Sequence, residues 1–118
     1  MIKDEDLVRL LAEGCADEKA YDIVIMDVSQ MTSLTEYFII ASGRNTKHVQ
    51  SICDYVHELL SEQNIAPMRQ EGYQEGAWVI MDYNAVILHV FNDDRRNHYD
   101  LERLWGDAVI IEINQAKE

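Results

Sequence analysis

Residues Asp22 to Val28 read DIVIMDV. A run this short, apolar at successive positions and rich in β-branched residues, fits a strand covered on both faces. A second such run, YFIIA, spans Tyr37 to Ala41. A sheet covered on both faces needs layers packed against it, and the chain supplies amphipathic helices. From Asp4 to about Lys19, Leu7, Leu10, Leu11 and Cys15 share one helical face. A second helix starts near Thr46, carries Val49, Ile52, Val56, Leu59 and Leu60 as its apolar stripe, and ends before Pro67. Between the strands, Ser33-Leu34-Thr35-Glu36 has capping-box spacing, which predicts one helical turn. Ser42 to Asn45 is expected to turn the chain into the second helix.

Beyond Pro67 the rhythm changes. Met68–Glu71, Ala77–Tyr83 and Ala85–Phe91 are three strands in quick succession. Tyr73-Gln74-Glu75-Gly76 and the Asp82-Tyr83-Asn84 region have hairpin-turn composition, so these strands are expected to be antiparallel. Asn92-Asp93-Asp94 offers capping oxygens and negative charge for a third helix, with Leu101, Leu104 and Trp105 on its buried face. Gly106 suits the residue just past its end. Asp107 to Ile113, DAVIIEI, is a last strand. The order α-β-β-α-β-β-β-α-β gives an α/β fold of the α+β kind, a single mixed sheet with helices packed on it. With 118 residues and no linker or repeat, 1–118 is expected to be one domain.

Charge narrows the function classes. The net charge is −12, which disfavours binding to a phosphate backbone and fits a basic partner steered in by opposite charge. No apolar run approaches the roughly 20 residues of a membrane span. The N-terminus, Met1-Ile2-Lys3-Asp4-Glu5-Asp6, lacks the apolar stretch of a signal peptide, so a cytoplasmic protein is expected. Cys15 and Cys53 have no metal or redox spacing and read as buried free thiols.

Constellations for chemistry are sparse. IIASGRNTKHV runs strand, turn, helix, and Arg44 with Lys47 could attract an anion there, but the sequence has neither glycine-rich phosphate pattern. A nucleotide-binding domain using Arg44, Asn45, Thr46 and Lys47 is the alternative reading. His48, Cys53 and His57 share a helix without a second ligand pair at zinc spacing, so no metal is expected. His89, between apolar neighbours in VILHVF, fits a hydrogen-bonded core or interface histidine. Asp93-Asp94 reads as a helix cap. Asp22 and Asp27 lie five apart on a strand and should point to opposite faces, unlike the paired carboxylates of two-metal phosphoryl transfer. Neither a nucleophile motif nor a cofactor motif is present, and no catalytic residue or cofactor is assigned.

Surface recognition remains. EGAWVIMDY places Trp78, Ile80 and Asp82 on one strand face and Val79, Met81 and Tyr83 on the other. One face must meet the helices. The other turns tryptophan or tyrosine outward beside carboxylates, in the manner of an interface, unless both faces are covered within the monomer.

Three segments, YDIVIMDVSQMTSLTEYFIIASGRNTKHVQSI, EGYQEGAWVIMDYNAVILHVF and RRNHYDLERLWGDA, in this order and spacing, resemble the ribosomal silencing factor (RsfS, YbeB or Iojap) family. The resemblance covers about Asp4 to Ala108. It implies a non-enzymatic translation repressor with a nucleotidyltransferase-like fold that lacks the catalytic carboxylates. It further implies binding to large-subunit ribosomal protein number fourteen, which blocks joining of the small subunit when nutrients are short, and self-association as homodimers. Trp78 matches the family's partner-contacting tryptophan, and Asp82 and Tyr83 continue that segment. Glu71 and Gly72 match its EG motif, and Tyr99 and Leu101 match its Y-x-L-E-x-L-W helix. Where the family commonly has glycine and then aspartate, this chain has Asn84 and Ala85. Asparagine tolerates the left-handed turn conformation, so the hairpin should survive.

Overall fold

The computed structural model describes residues 2–93 and, as backbone, 109–112. Two helices, α1 (Asp4–Asp17) and α2 (Thr46–Ser61), accompany six strands: β1 (Tyr21–Asp27), β2 (Tyr37–Gly43), β3 (Arg69–Glu71), β4 (Trp78–Asp82), β5 (Val86–Asn92) and β6 (Val109–Glu112). They form one sheet in the order β3-β4-β5-β2-β1-β6. The β2–β5 pairing is parallel and the others are antiparallel, so the sheet is mixed, as expected. The predicted third helix, with Asp94, Leu101, Leu104, Trp105 and Gly106, lies outside the described residues.

Both helices pack on one side. α1 buries Leu7, Val8, Leu11, Ala12, Gly14 and Cys15, and α2 buries Val49, Ile52, Cys53, Val56 and Leu60. Leu10 and Leu59, expected on these stripes, are partly buried at their margins. Against the helices stand Ile23, Ile25, Ile39, Ala41, Val79, Met81, Val86, Leu88 and Val90. The alternate residues Met26, Val28, Phe38, Ile40 and Phe91 form a second buried cluster on the opposite face. The central strands are therefore buried on both faces, which is why they read as continuous apolar runs. Each fully buried large aliphatic side chain contributes about 1.5–3 kcal/mol relative to exposure.

The helix ends follow from capping chemistry. Asn45 Oδ1 accepts the His48 amide at 2.8 Å, starting α2. Beyond α2, Asn64 takes φ 63°, and the Ile65 amide donates to the Leu60 carbonyl. This left-handed residue, three positions before Pro67, turns the chain out of the helix. α1 ends the same way at Lys19, φ 69°.

Two local expectations fail, and a third loses the count it rested on. Ser33–Glu36 makes no helical turn. Its backbone is engaged elsewhere: the Glu36 carbonyl accepts from Val28, the Glu36 amide donates to Ala85, and Thr32 Oγ1 accepts the Leu34 amide. Ser42 and Gly43 belong to β2 rather than to a turn, because β5 continues pairing through Phe91 and Asn92. The parity argument for Asp22 and Asp27 also breaks. The β1–β2 register shifts between Tyr21 and Val24, and Asp22 sits at φ 51°. A bulge adds one residue and resets which face a spacing of five reaches.

Candidate functional site

Strand β4 decides which aromatic faces outward. Val79 and Met81 are fully buried under the helices, whereas Trp78, Ile80 and Asp82 are half-buried on the opposite face. Exposure rises further on the neighbouring edge strand, where Arg69, Gln70 and Glu71 are all exposed. The register sets Arg69 opposite Asp82, and Glu71 opposite Ile80. On the other side of β4, Ile80 faces His89 and Trp78 faces Phe91. The outer face of β3–β4 thus presents an indole, an isoleucine, two carboxylates and the Arg69 guanidinium that pairs with them.

Trp78 is held by ring contacts and a hydrogen bond. Its ring stacks on Phe91, with centroids 5.2 Å apart and 21° between planes. Its Nε1–H donates to His89 Nδ1 at 3.0 Å. His89 is 6% exposed and lies edge-on to Phe38 at 4.9 Å. Burial pushes its pKa down from 6.5 to about 4, so the ring is neutral near pH 7. The sequence expectation of a hydrogen-bonded core histidine matches this placement.

Asp82 Oδ1 accepts the Asn84 amide at 2.8 Å, while Oδ2 lies 3.6 Å from Arg69. Arg69 also reaches Glu71 at 3.2 Å. Asn84 has φ 76°, the left-handed turn conformation expected for it. Gly72, at φ 86°, follows β3, and a Cβ there would collide with the carbonyl oxygen of Trp78. The glycine therefore lets the β3–β4 connection pass close to the start of β4. The connection is tied to α2: Gln50 Nε2 donates to the Tyr73 carbonyl at 2.8 Å, and the Tyr73 hydroxyl donates to Asp54 at 2.9 Å.

The structure separates the residues singled out from the sequence. Trp78, Asp82 and Glu71 come together on one face with Gly72 at its end. Tyr83 does not join them: it is 6% exposed within the helix-side core, and burial pushes its phenol pKa up. That placement corrects its assignment to the contact surface, because alternation along β4 turns it inward with Val79 and Met81. Tyr99 and Leu101 lie outside the described residues. Sequence reasoning missed Arg69, whose relation to Asp82 depends on strand register. It also missed the exposure of Leu34 (81%) and Met68 (68%), which no apolar periodicity marks.

The alternative sites take up other roles. At the start of α2, the Arg44 amide donates to His48 Nδ1 at 2.9 Å, and His48 Nε2 lies 2.9 Å from the Glu18 carbonyl. His48 thus ties the turn before α2 through Nδ1 and the C-terminal end of α1 through Nε2, and Asn45 caps the helix start. Cys15 and Cys53 are buried free thiols; burial pushes Cys15 up to about 12 and Cys53 higher still. Thiols held protonated in this way are poor nucleophiles and poor metal ligands. No group of three potential metal ligands occurs among the described residues, and no helix among them is long and apolar enough to cross a membrane.

Comparisons with known proteins point one way. The family model described as ribosomal silencing factor during starvation matches residues 2–118. The ribosomal silencing factor RsfS of Bacillus subtilis is 33% identical over 113 residues, covering 96% of each chain. That of Halalkalibacterium halodurans is 34% identical over 112 residues, covering 95% of this chain and 96% of its own. A crystal structure of a Chromobacterium violaceum protein superposes with a TM-score of 0.86 at 30% identity, covering 99% of this chain and 95% of the other.

Proposed function

The chain belongs to the ribosomal silencing factor family, regulatory proteins that silence translation on the ribosome and are not enzymes, and we propose that it acts by seating the outer face of β3–β4 on the large subunit. In this reading the partner is large-subunit ribosomal protein number fourteen, and the bound protein blocks joining of the small subunit in the cytoplasm. The observation that carries it is the orientation of β4. Trp78, Ile80 and Asp82 stand half-buried on the face away from the helices, beside an exposed polar edge strand, Arg69-Gln70-Glu71.

Charge supports the choice of partner. A chain of net charge −12 is repelled by ribosomal RNA and attracted to an exposed basic protein patch, so charge selects both partner and place. An aromatic anchor with polar groups beside it, Asp82 and the β3 edge, suits such an interface.

Co-sedimentation with purified large subunits, followed by addition of small subunits, tests the reading. The expected result is travel with the large subunit and fewer joined ribosomes. A protein that stays at the top of the gradient, or a folded Trp78→Ala variant that binds as well as wild type, rejects this surface. Self-association of two copies belongs to the same reading. A dimer that covers β4 lowers ribosome occupancy at high protein concentration, which light scattering and sedimentation together measure.

A further inference from the structure

His89 is an unusual occupant of its position. Its neighbours on the same sheet face, Phe38, Ile40, Ile87 and Phe91, are apolar. At 6% exposure, a histidine used only to fill space there would be better replaced by an apolar ring. An indole N–H only donates, so His89 Nδ1 must accept, and the neutral ring carries its proton on Nε2. Nε2 is buried and finds no hydrogen-bond partner among the described residues. Leaving a buried donor unmade is unfavourable, so among the described residues one ring nitrogen carries a penalty while the other serves as an acceptor.

Building on the reading of Trp78 as a partner contact, we propose that His89 is a positioning residue for the ribosomal interface, its Nδ1 fixing the Trp78 indole in the orientation that the partner receives. The register of β4 and β5 makes this possible. Ile80 is directly opposite His89 and Trp78 opposite Phe91, so the indole lies diagonally over the imidazole, with ring centroids 5.9 Å apart. Phe91 supplies a stacking surface for the ring, and the hydrogen bond adds a defined direction for the indole N–H. An anchor already ordered before encounter loses less entropy on binding.

Two variants separate positioning from packing. His89→Phe keeps an aromatic ring and removes both the acceptor and the orphaned N–H. His89→Asn places Oδ1 near the site of Nδ1, keeping an acceptor while giving up the ring. Stability should rank Phe at or above wild type and Asn below it. Affinity for large subunits should rank the other way: about three- to tenfold weaker for Phe, nearer to wild type for Asn. In the free protein, the Trp78 indole N–H resonance, assigned by its loss in Trp78→Phe, should move upfield and exchange faster with solvent in the Phe variant. It should return toward its wild-type position in the Asn variant.

Affinity that follows stability, with Asn weaker than Phe, overturns the proposal, as does an indole resonance unmoved in His89→Phe. Trp78→Ala distinguishes the two levels of failure. If that variant binds as wild type, the contact reading fails together with the inference. If it loses binding while His89→Phe, with a displaced indole resonance, binds normally, only the positioning role fails.

Discussion

Strand β4 has two faces made from five consecutive residues. On one, Val79 and Met81 are fully buried on the helix side of the sheet, where β4 meets α2. On the other, Trp78, Ile80 and Asp82 remain half-exposed, and their surroundings become more polar toward β3. The inner residues belong to the helix-side hydrophobic core, so their contribution is burial. The outer ones combine ring stacking, a directed hydrogen bond and an ion pair, which specify orientation more than they add stability. A period of two along one strand thus separates the parts that hold the fold from those available to a partner, with adjacent residues acting almost independently.

The strongest way to break this division is from the inside. Met81→Ala should cost about 2–5 kcal/mol through lost burial and the cavity left behind, read as a fall in the urea midpoint. Its folded fraction should still bind large subunits normally. A large affinity loss without a stability loss would mean that the helix-side face contributes directly to binding.

An acid titration probes the outer side next. The folded-state pKa of His89 lies near 4 against 6.5 for the free side chain, so the folded protein resists taking up a proton that the unfolded chain accepts. The sign is fixed: stability is full above pH 6.5 and is lost as pH falls through about 4. The single-site effect is about 3 kcal/mol across that window. The difference between wild type and His89→Phe, measured by denaturant unfolding at several pH values, isolates it from the carboxylates. Parallel pH profiles for the two proteins would show that His89 is not held neutral by burial.

Trp78→Ala should then reduce large-subunit affinity about tenfold or more, the scale of a central aromatic anchor. Its stability should fall less than that of Met81→Ala, because the indole is only half-buried. Equal stability losses would erase the distinction between the two faces.

Much of this division was legible in the chain, but not which face was which. DIVIMDV and YFIIA read as doubly covered strands because both of their faces meet apolar neighbours. The hairpins were legible because Gly72, Gly76 and Asn84 supply positive φ where the chain reverses. Along β4, however, each face carries large apolar side chains, so alternation alone could not say whether Trp78 or Tyr83 points outward. Packing of α1 and α2 settles it. Arg69 escaped notice because its pairing with Asp82 exists only once β3 and β4 are in register. The capping-box spacing at Ser33–Glu36 misled for the converse reason: long-range bonds from Glu36 to Val28 and Ala85 override a favourable local pattern. For Asp22 and Asp27 a count of positions does not fix the faces, because one bulged residue in β1 intervenes.

Arg69 gives the smallest and sharpest test of the outer face. It is the sole Lys or Arg between Lys47 and Arg95, and its guanidinium lies between Glu71 and Asp82. Its side chain is 62% exposed, so these ion pairs are screened, and Arg69→Gln should change stability by less than about 1 kcal/mol. Removing the guanidinium leaves the two carboxylates more negative toward an approaching partner. For a basic partner, association should become about two- to threefold faster at low salt, with a steeper decline as salt is added. Slower association, or a flatter salt dependence, would mean that Arg69 itself contacts the partner and that the outer face is read through its cation rather than through its carboxylates.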